Sequence, residues 1–329
     1  MSFIAVLLAL IIEQLRPLSQ HNPVHEAMVA WSRWTGRNFD AGREHHAWVV
    51  WAVTVVAPSL LVGLVYVLVA MQSDLLALGW DLVVLYLTLG FRQFSHYFTD
   101  IRESLEQGRE ERARELLQAW RNLDASELPR TELLRHVLEH GLLAAHRHMF
   151  GVFFWFVLGS ALGLGPTGAV LYRLAEFSSR YWAYKSRMLD APTNERLMLC
   201  AQRSFAWIDH VPARLTAAGF AVVGNFEDAI DSWRGHAHLW LIANDGVVLA
   251  TAAGAMGVAL GGQHAPELAP YRSRTFDAGA SPELAGAEGS TPGLPPQVAH
   301  LRAVVGLVWR SVVLWMLLLA LLSLAKLLG

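Results

Sequence analysis

Between Ala47 and Ser73 the chain carries no charged side chain. A bilayer's hydrocarbon core is crossed by roughly 20 predominantly apolar residues in helical form, so this run is long enough to span one. The soluble alternative is a buried core helix, which is normally shorter and carries a polar stripe. Composition points the same way. Only 16% of residues are charged and 54% are hydrophobic, where soluble domains hold about one quarter charged residues. The chain reads as all-α: a polytopic integral membrane helical bundle with re-entrant or interfacial hairpins and a cytoplasmic helical portion, with membrane lipid as its first partner.

The same reasoning divides residues 1–329 into membrane segments at about 2–12, 47–71, 75–91, 149–172, 238–262 and 303–325, within a single domain. Phe3 to Ile12 is apolar but has no positive residue before it and no small-residue cleavage site after it, so it reads as a retained first segment. Trp31 and Trp34 suit an interfacial position. Pro58 is expected to kink the second segment. Asp81 interrupts the third and should face protein or an interface rather than lipid.

Two stretches, about 92–147 and 173–237, read as cytoplasmic helical parts, and both 92–147 and 173–214 are rich in arginine. In residues 106–115, Glu and Arg recur three or four apart, as on a solvated helix. Between the two stretches lies the apolar run that begins at Met149 and breaks at Gly165-Pro166. A single crossing there would put one arginine-rich stretch outside. A hairpin keeps both inside, as the positive-inside rule prefers. Pro212-Ala213-Arg214-Leu215 is expected to open a further helix, and residues 263–300, rich in Pro, Gly, Ser and Ala, read as a flexible loop.

Candidate chemistry is sparse. The one cysteine, Cys200, excludes an internal disulfide and a thiolate zinc cluster. His136-Val137-Leu138-Glu139-His140 matches the H-x-x-E-H pattern of a zinc peptidase class, with both histidines on one helical face and Glu139 as base. In a chain with 14 histidines a five-residue match arises easily. The commoner reading is a solvated helix near the bilayer, so no metal site is assigned. Asp228 and Asp231 read as a charged helix face ahead of a Mg²⁺ pair. There is no Walker-type phosphate loop. A net charge of −2 gives no basis for a nucleic-acid partner.

Several pieces, in order, resemble one family. They are Asn22-Pro23-Val24, Leu87-Thr88-Leu89-Gly90-Phe91-Arg92, Arg135 to Glu139, Phe153 to Gly159, Tyr172-Arg173, Pro212 to Leu215, and Asn244-Asp245-Gly246 followed by Ala253 to Gly262. This order is similar to that of the CobD/CbiB family of cobalamin biosynthesis membrane proteins. The resemblance implies a bacterial inner-membrane, multi-pass protein. It also implies adenosylcobinamide-phosphate synthase chemistry: ATP-dependent amide formation on adenosylcobyric acid, with ATP and Mg²⁺ as cofactors if that activity survives, and a corrinoid or other membrane proteins as partners.

Carried over residue by residue, the resemblance keeps Glu139 as the catalytic candidate and Arg92, Arg121, Arg214 and Asn244 as ligand-binding candidates. Elsewhere this chain departs from the pattern. The motif that opens at Glu139 continues on Leu142, Leu143, Ala144, Arg147 and His148. A second, amide-and-carboxylate motif falls on Glu176, Phe177, Ser178, Ser179 and Arg180. A third falls on Phe205 and Ala206, with Asp209 where Asn is usual. Amide synthesis with ATP needs carboxylates to hold Mg²⁺, so activity is expected to be degenerate or absent. The loss of these motifs also resembles AmpE, a relative in the same family, and gives an alternative reading as a non-enzymatic membrane regulatory protein.

Overall fold

In a stretch with few charges, backbone groups that water does not reach must pair within the chain, and the helix does this locally. The computed structural model describes residues 2–15, 23–39, 44–121, 125–186, 194–262 and 289–328, and among them every regular element is helical. In order these are α1 (Ser2–Leu15), α2 (Pro23–Phe39), α3 (Glu44–Trp51), α4 (Ala57–Ala70), α5 (Asp74–Thr88), α6 (Phe91–Glu106), α7 (Glu110–Arg121) and α8 (Arg130–Ala145). They continue with α9 (Gly151–Ala161), α10 (Thr167–Lys185), α11 (Glu195–Val223), α12 (Phe226–His236), α13 (Ala243–Met256) and α14 (Val298–Leu328). Extended pairing among the described residues is limited to two isolated bridges, Val258 with Leu294 and Gly261 with Ser290.

Among the described residues, three helical stretches are long and apolar enough to cross a membrane: His46–Ala70, Arg130–Ala161 and Val298–Ala325. The first is the charge-free run that the sequence marks. The second differs from expectation. The helix does not start at the apolar residues near Met149 but runs unbroken from Arg130, through a π-helical turn at His146–Phe150, to Ala161. The expected segment at 238–262 is also divided. A short 3₁₀ turn at Ala237–Leu239 precedes the 14-residue α13, which ends where Gly257 takes a left-handed conformation. The expected loop at 263–300 is corrected at its end. Residues 263–288 lie outside the described set, the Thr291 amide donates to the Leu260 carbonyl at 2.9 Å, and α14 already begins at Val298.

The chain divides into two compact units. The first comprises residues 1–93, 147–212 and 318–329. In it α9 and α10 form a tight hairpin because glycine occupies each crossing point. A Cβ at Gly168 would collide with the Trp155 carbonyl, and one at Gly151 with the Tyr172 ring. The expected break at Gly165-Pro166 is therefore the hairpin's tip.

Two prolines in this unit lie inside helical runs, and both are accommodated in the same way. Proline has no N–H, so it leaves the carbonyl four residues earlier without its helical donor. Pro58 leaves Thr54, and the Trp31 indole donates to the Thr54 carbonyl at 3.3 Å, beside a π-helical turn at Ala52–Val56. Pro212 leaves Ile208, and the Trp155 indole donates to the Ile208 carbonyl at 3.1 Å. Pro212 therefore does not open a helix. It sits within α11, which is 29 residues long.

The second unit comprises residues 94–146 and 213–317. In it α7 and α8 bury Ala113, Leu117, Leu134 and Val137. Trp120 of α7 lies between two rings, stacked on Tyr97 at 6.1 Å and edge-on to His140 at 4.4 Å. The helix α13 is enclosed along most of its length, from Asn244 to Gly254. Its two glycines admit neighbouring backbone directly, Gly246 facing the Ala237 carbonyl and Gly254 the Asp228 carbonyl. The small residues of α13 thus serve close helix approach.

Candidate functional site

Glu139 and Arg135 stand one turn apart on α8, so their side chains meet on one face. Glu139 has no solvent exposure and Arg135 only 4%. The Arg135 Nη1 donates to both carboxylate oxygens of Glu139, at 3.2 and 3.3 Å, and its Nε donates to Glu132 at 3.0 Å. A third donor arrives from far along the chain: the Gly261 amide, 2.7 Å from Glu139 Oε1. Gly261 can present that amide because it adopts φ +71 and passes close to the Gly289 carbonyl, where a Cβ would collide. The segment Ala253 to Gly262, singled out by the resemblance, is thereby fastened to α8 through the Glu139 carboxylate.

Arg214 and Asn244 also meet, the Arg214 Nη1 donating to Asn244 Oδ1 at 3.3 Å. Asn244 lies in the first turn of α13 beside the buried Asp245. The second unit therefore holds Glu139, Arg214 and Asn244 together in one fold. The side chains of Arg92 and Arg121 lie outside the described residues.

The zinc-like pattern does not assemble a ligand set. His140 is packed against Trp120, and among the described residues no group of three His, Cys, Asp or Glu side chains could hold a metal ion. Asp228 is engaged with its helix cap, accepting from Asn225 Nδ2 at 2.5 Å.

Leu142, Leu143 and Ala144 lie in the second unit, and the first unit holds the other positions where the chain departs from the family pattern. Glu176 is buried, and its Oε2 accepts from Arg173 Nη1 and Arg180 Nη2, each at 3.1 Å. The Tyr172 hydroxyl donates to Asp209 Oδ1 at 2.8 Å, with Phe205 packed against the Tyr172 ring. Arg147 and His148 lie within electrostatic range of Glu176. Each carboxylate here is held by donors from this chain. The sequence reading did not select Arg135 as a site residue, nor the Arg173–Glu176–Arg180 triad. Both are spaced at i, i+3 or i+4 with opposite charge, which was the available signal.

The description "CobD/Cbib protein" matches residues 2–280. The chain belongs to the CobD/CbiB family. It is 31% identical over 326 residues, 96% of each chain, to the cobalamin biosynthesis protein CobD of Stutzerimonas stutzeri. A second relative, the cobalamin biosynthesis protein CobD of Chromobacterium violaceum, is 34% identical over 194 residues, 58% of each chain. No solved structure matches. Family membership and the three spanning-length helices make this a membrane protein of the cobalamin biosynthesis family, as the order of its motifs implied.

Proposed function

We propose that this chain is a multi-pass inner-membrane member of the CobD/CbiB family that has lost adenosylcobinamide-phosphate synthase turnover and keeps a binding role toward a corrinoid. The observation that carries the reading is the state of Glu139. Its two oxygens receive three hydrogen bonds, from Arg135 to each and from the Gly261 amide to one. A guanidinium against both oxygens neutralises this carboxylate and opposes the approach of Mg²⁺, which demands near-ideal octahedral geometry. Glu176 is likewise flanked by two guanidinium groups. Among the described residues, these two carboxylates are held by the chain's own guanidinium groups and do not fit a Mg²⁺–ATP site. The Arg214–Asn244 pair retains donors and an amide suited to the carboxamide groups that edge a corrinoid.

The test is twofold. The gene, expressed in a strain lacking the synthase, is expected not to restore adenosylcobinamide-phosphate formation. The purified protein is expected to bind cobyric acid without releasing ADP from ATP. Restored synthesis that depends on Glu139 overturns the reading. The same loss of carboxylates supports a second reading, an AmpE-like regulatory protein, and absence of any corrinoid binding favours that one.

A further inference from the structure

Between residues 204 and 223 of α11 the exposed positions are Ala206, Trp207, His210, Val211, Leu215 and Val222. Five are apolar and the sixth is an imidazole. None is Lys, Arg, Asp or Glu. Trp207 is 82% exposed and Val222 59%. Asp209 and Thr216 of the same stretch point the other way, each 1% exposed, and Arg214 is half-buried. A helix on an aqueous surface has its apolar stripe inward and its charges outward. α11 is the reverse.

We infer that the outer face of α11 from Ala206 to Val223 lies against lipid acyl chains, making α11 a membrane-embedded helix. Three further observations carry this. The Trp155 indole donates to the Ile208 carbonyl at 3.1 Å, and Trp155 belongs to the spanning-length helix Arg130–Ala161. The bond places Ile208, and with it Trp207 and Val211, at the depth of that span. The stretch 206–223 has a helical length of about 27 Å at 1.5 Å per residue, close to the roughly 30 Å of hydrocarbon. Charged residues also bracket it, with Glu195, Arg196 and Arg203 before it and Glu227, Asp228 and Asp231 after it.

Averaged hydropathy misses this helix for a physical reason. Asp209, Pro212, Arg214 and Thr216 lower the mean, yet their polarity is spent inside the protein. Tyr172 donates to Asp209, Trp155 serves the carbonyl that Pro212 leaves, and Arg214 bonds Asn244. Polar residues in membrane helices face the protein interior for this reason. The stretch 173–237, read from the sequence as cytoplasmic, is then divided at α11.

The proposal is tested by spin labelling in the Cys200→Ala background. The native thiol is buried, and burial raises its pKa, so removing it costs little reactivity and clears the assay. Single cysteines at Val211, Leu215 and Val222 carry a nitroxide in protein reconstituted into phosphatidylcholine–phosphatidylglycerol vesicles. A fourth at Glu115, exposed on α7, is the aqueous reference. Relaxation by oxygen relative to a water-soluble nickel chelate is expected to be several-fold higher at the three α11 positions than at Glu115. Nickel accessibility equal to that at Glu115 overturns the proposal in favour of water. Protection from both reagents overturns it in favour of a protein partner or a second copy. In the unsubstituted protein, a diazirine carried on a phospholipid tail is expected to label tryptic peptides 204–214 and 215–234. Absence of label there overturns the proposal independently of any variant's folding.

Discussion

Replacing Glu139 by Gln distinguishes a carboxylate that fastens the fold from one that performs chemistry. The amide oxygen of Gln can still accept from the Gly261 amide, but the charge opposite Arg135 is gone. Arg135 is only 4% exposed, so its guanidinium loses one of two carboxylate partners in a poorly solvated position. Breaking a buried pair by removing one partner typically costs about 3–5 kcal/mol. Here Glu132 still accepts from Arg135 Nε at 3.0 Å, which puts the expected loss near the lower end, about 3 kcal/mol. Removing the cation as well relieves the stranded charge. Arg135→Met combined with Glu139→Gln is therefore expected to be less destabilised than the sum of the single variants, by about 2 kcal/mol of coupling. The assay is unfolding of protein in mixed micelles by added denaturing detergent, followed by far-ultraviolet circular dichroism, with all four forms measured under one condition. An unchanged midpoint for Glu139→Gln, or simple additivity in the double variant, refutes the fastening role.

Two other outcomes follow from the geometry. Trp155→Phe removes the indole that serves the Ile208 carbonyl and is expected to destabilise by about 1–3 kcal/mol, the cost of an unsatisfied buried acceptor. Adding Pro212→Ala restores a backbone donor to that carbonyl and should recover part of the loss in the same unfolding assay. His140→Ala is expected to leave the metal content of purified protein unchanged by elemental analysis and to lower stability by about 1 kcal/mol through the lost edge-on contact with Trp120. Stoichiometric zinc that disappears in the variant would reinstate the metallopeptidase pattern.

The candidate site was only partly legible in the sequence. Glu139, Arg214 and Asn244 were found because they retain the family's residue types, and the structure places them in one unit. Their partners were harder to see. Arg135 is a turn from Glu139 and its pairing follows helical spacing, but the Gly261 amide reaches Glu139 from 122 residues away, a contact no local pattern encodes. The zinc-like motif shows the opposite problem. Its spacing is correct for two ligands on a helix, but among the described residues no third ligand is brought to it, and His140 is an aromatic packing partner.

Hydropathy by itself determined the all-α membrane character and the span from His46 to Ala70, because a long charge-free run leaves a helix as the way to pair its backbone in lipid. It also located the hairpin tip at Gly165-Pro166, where glycine and proline break helical periodicity. Only the tertiary structure decided that Pro212 continues a helix. That outcome depends on Trp155, far earlier in the chain, supplying the donor that proline lacks. It likewise decided which way Asp209 and Trp207 point. Composition records what residues a helix contains, whereas packing decides which of them meet protein and which meet the surroundings.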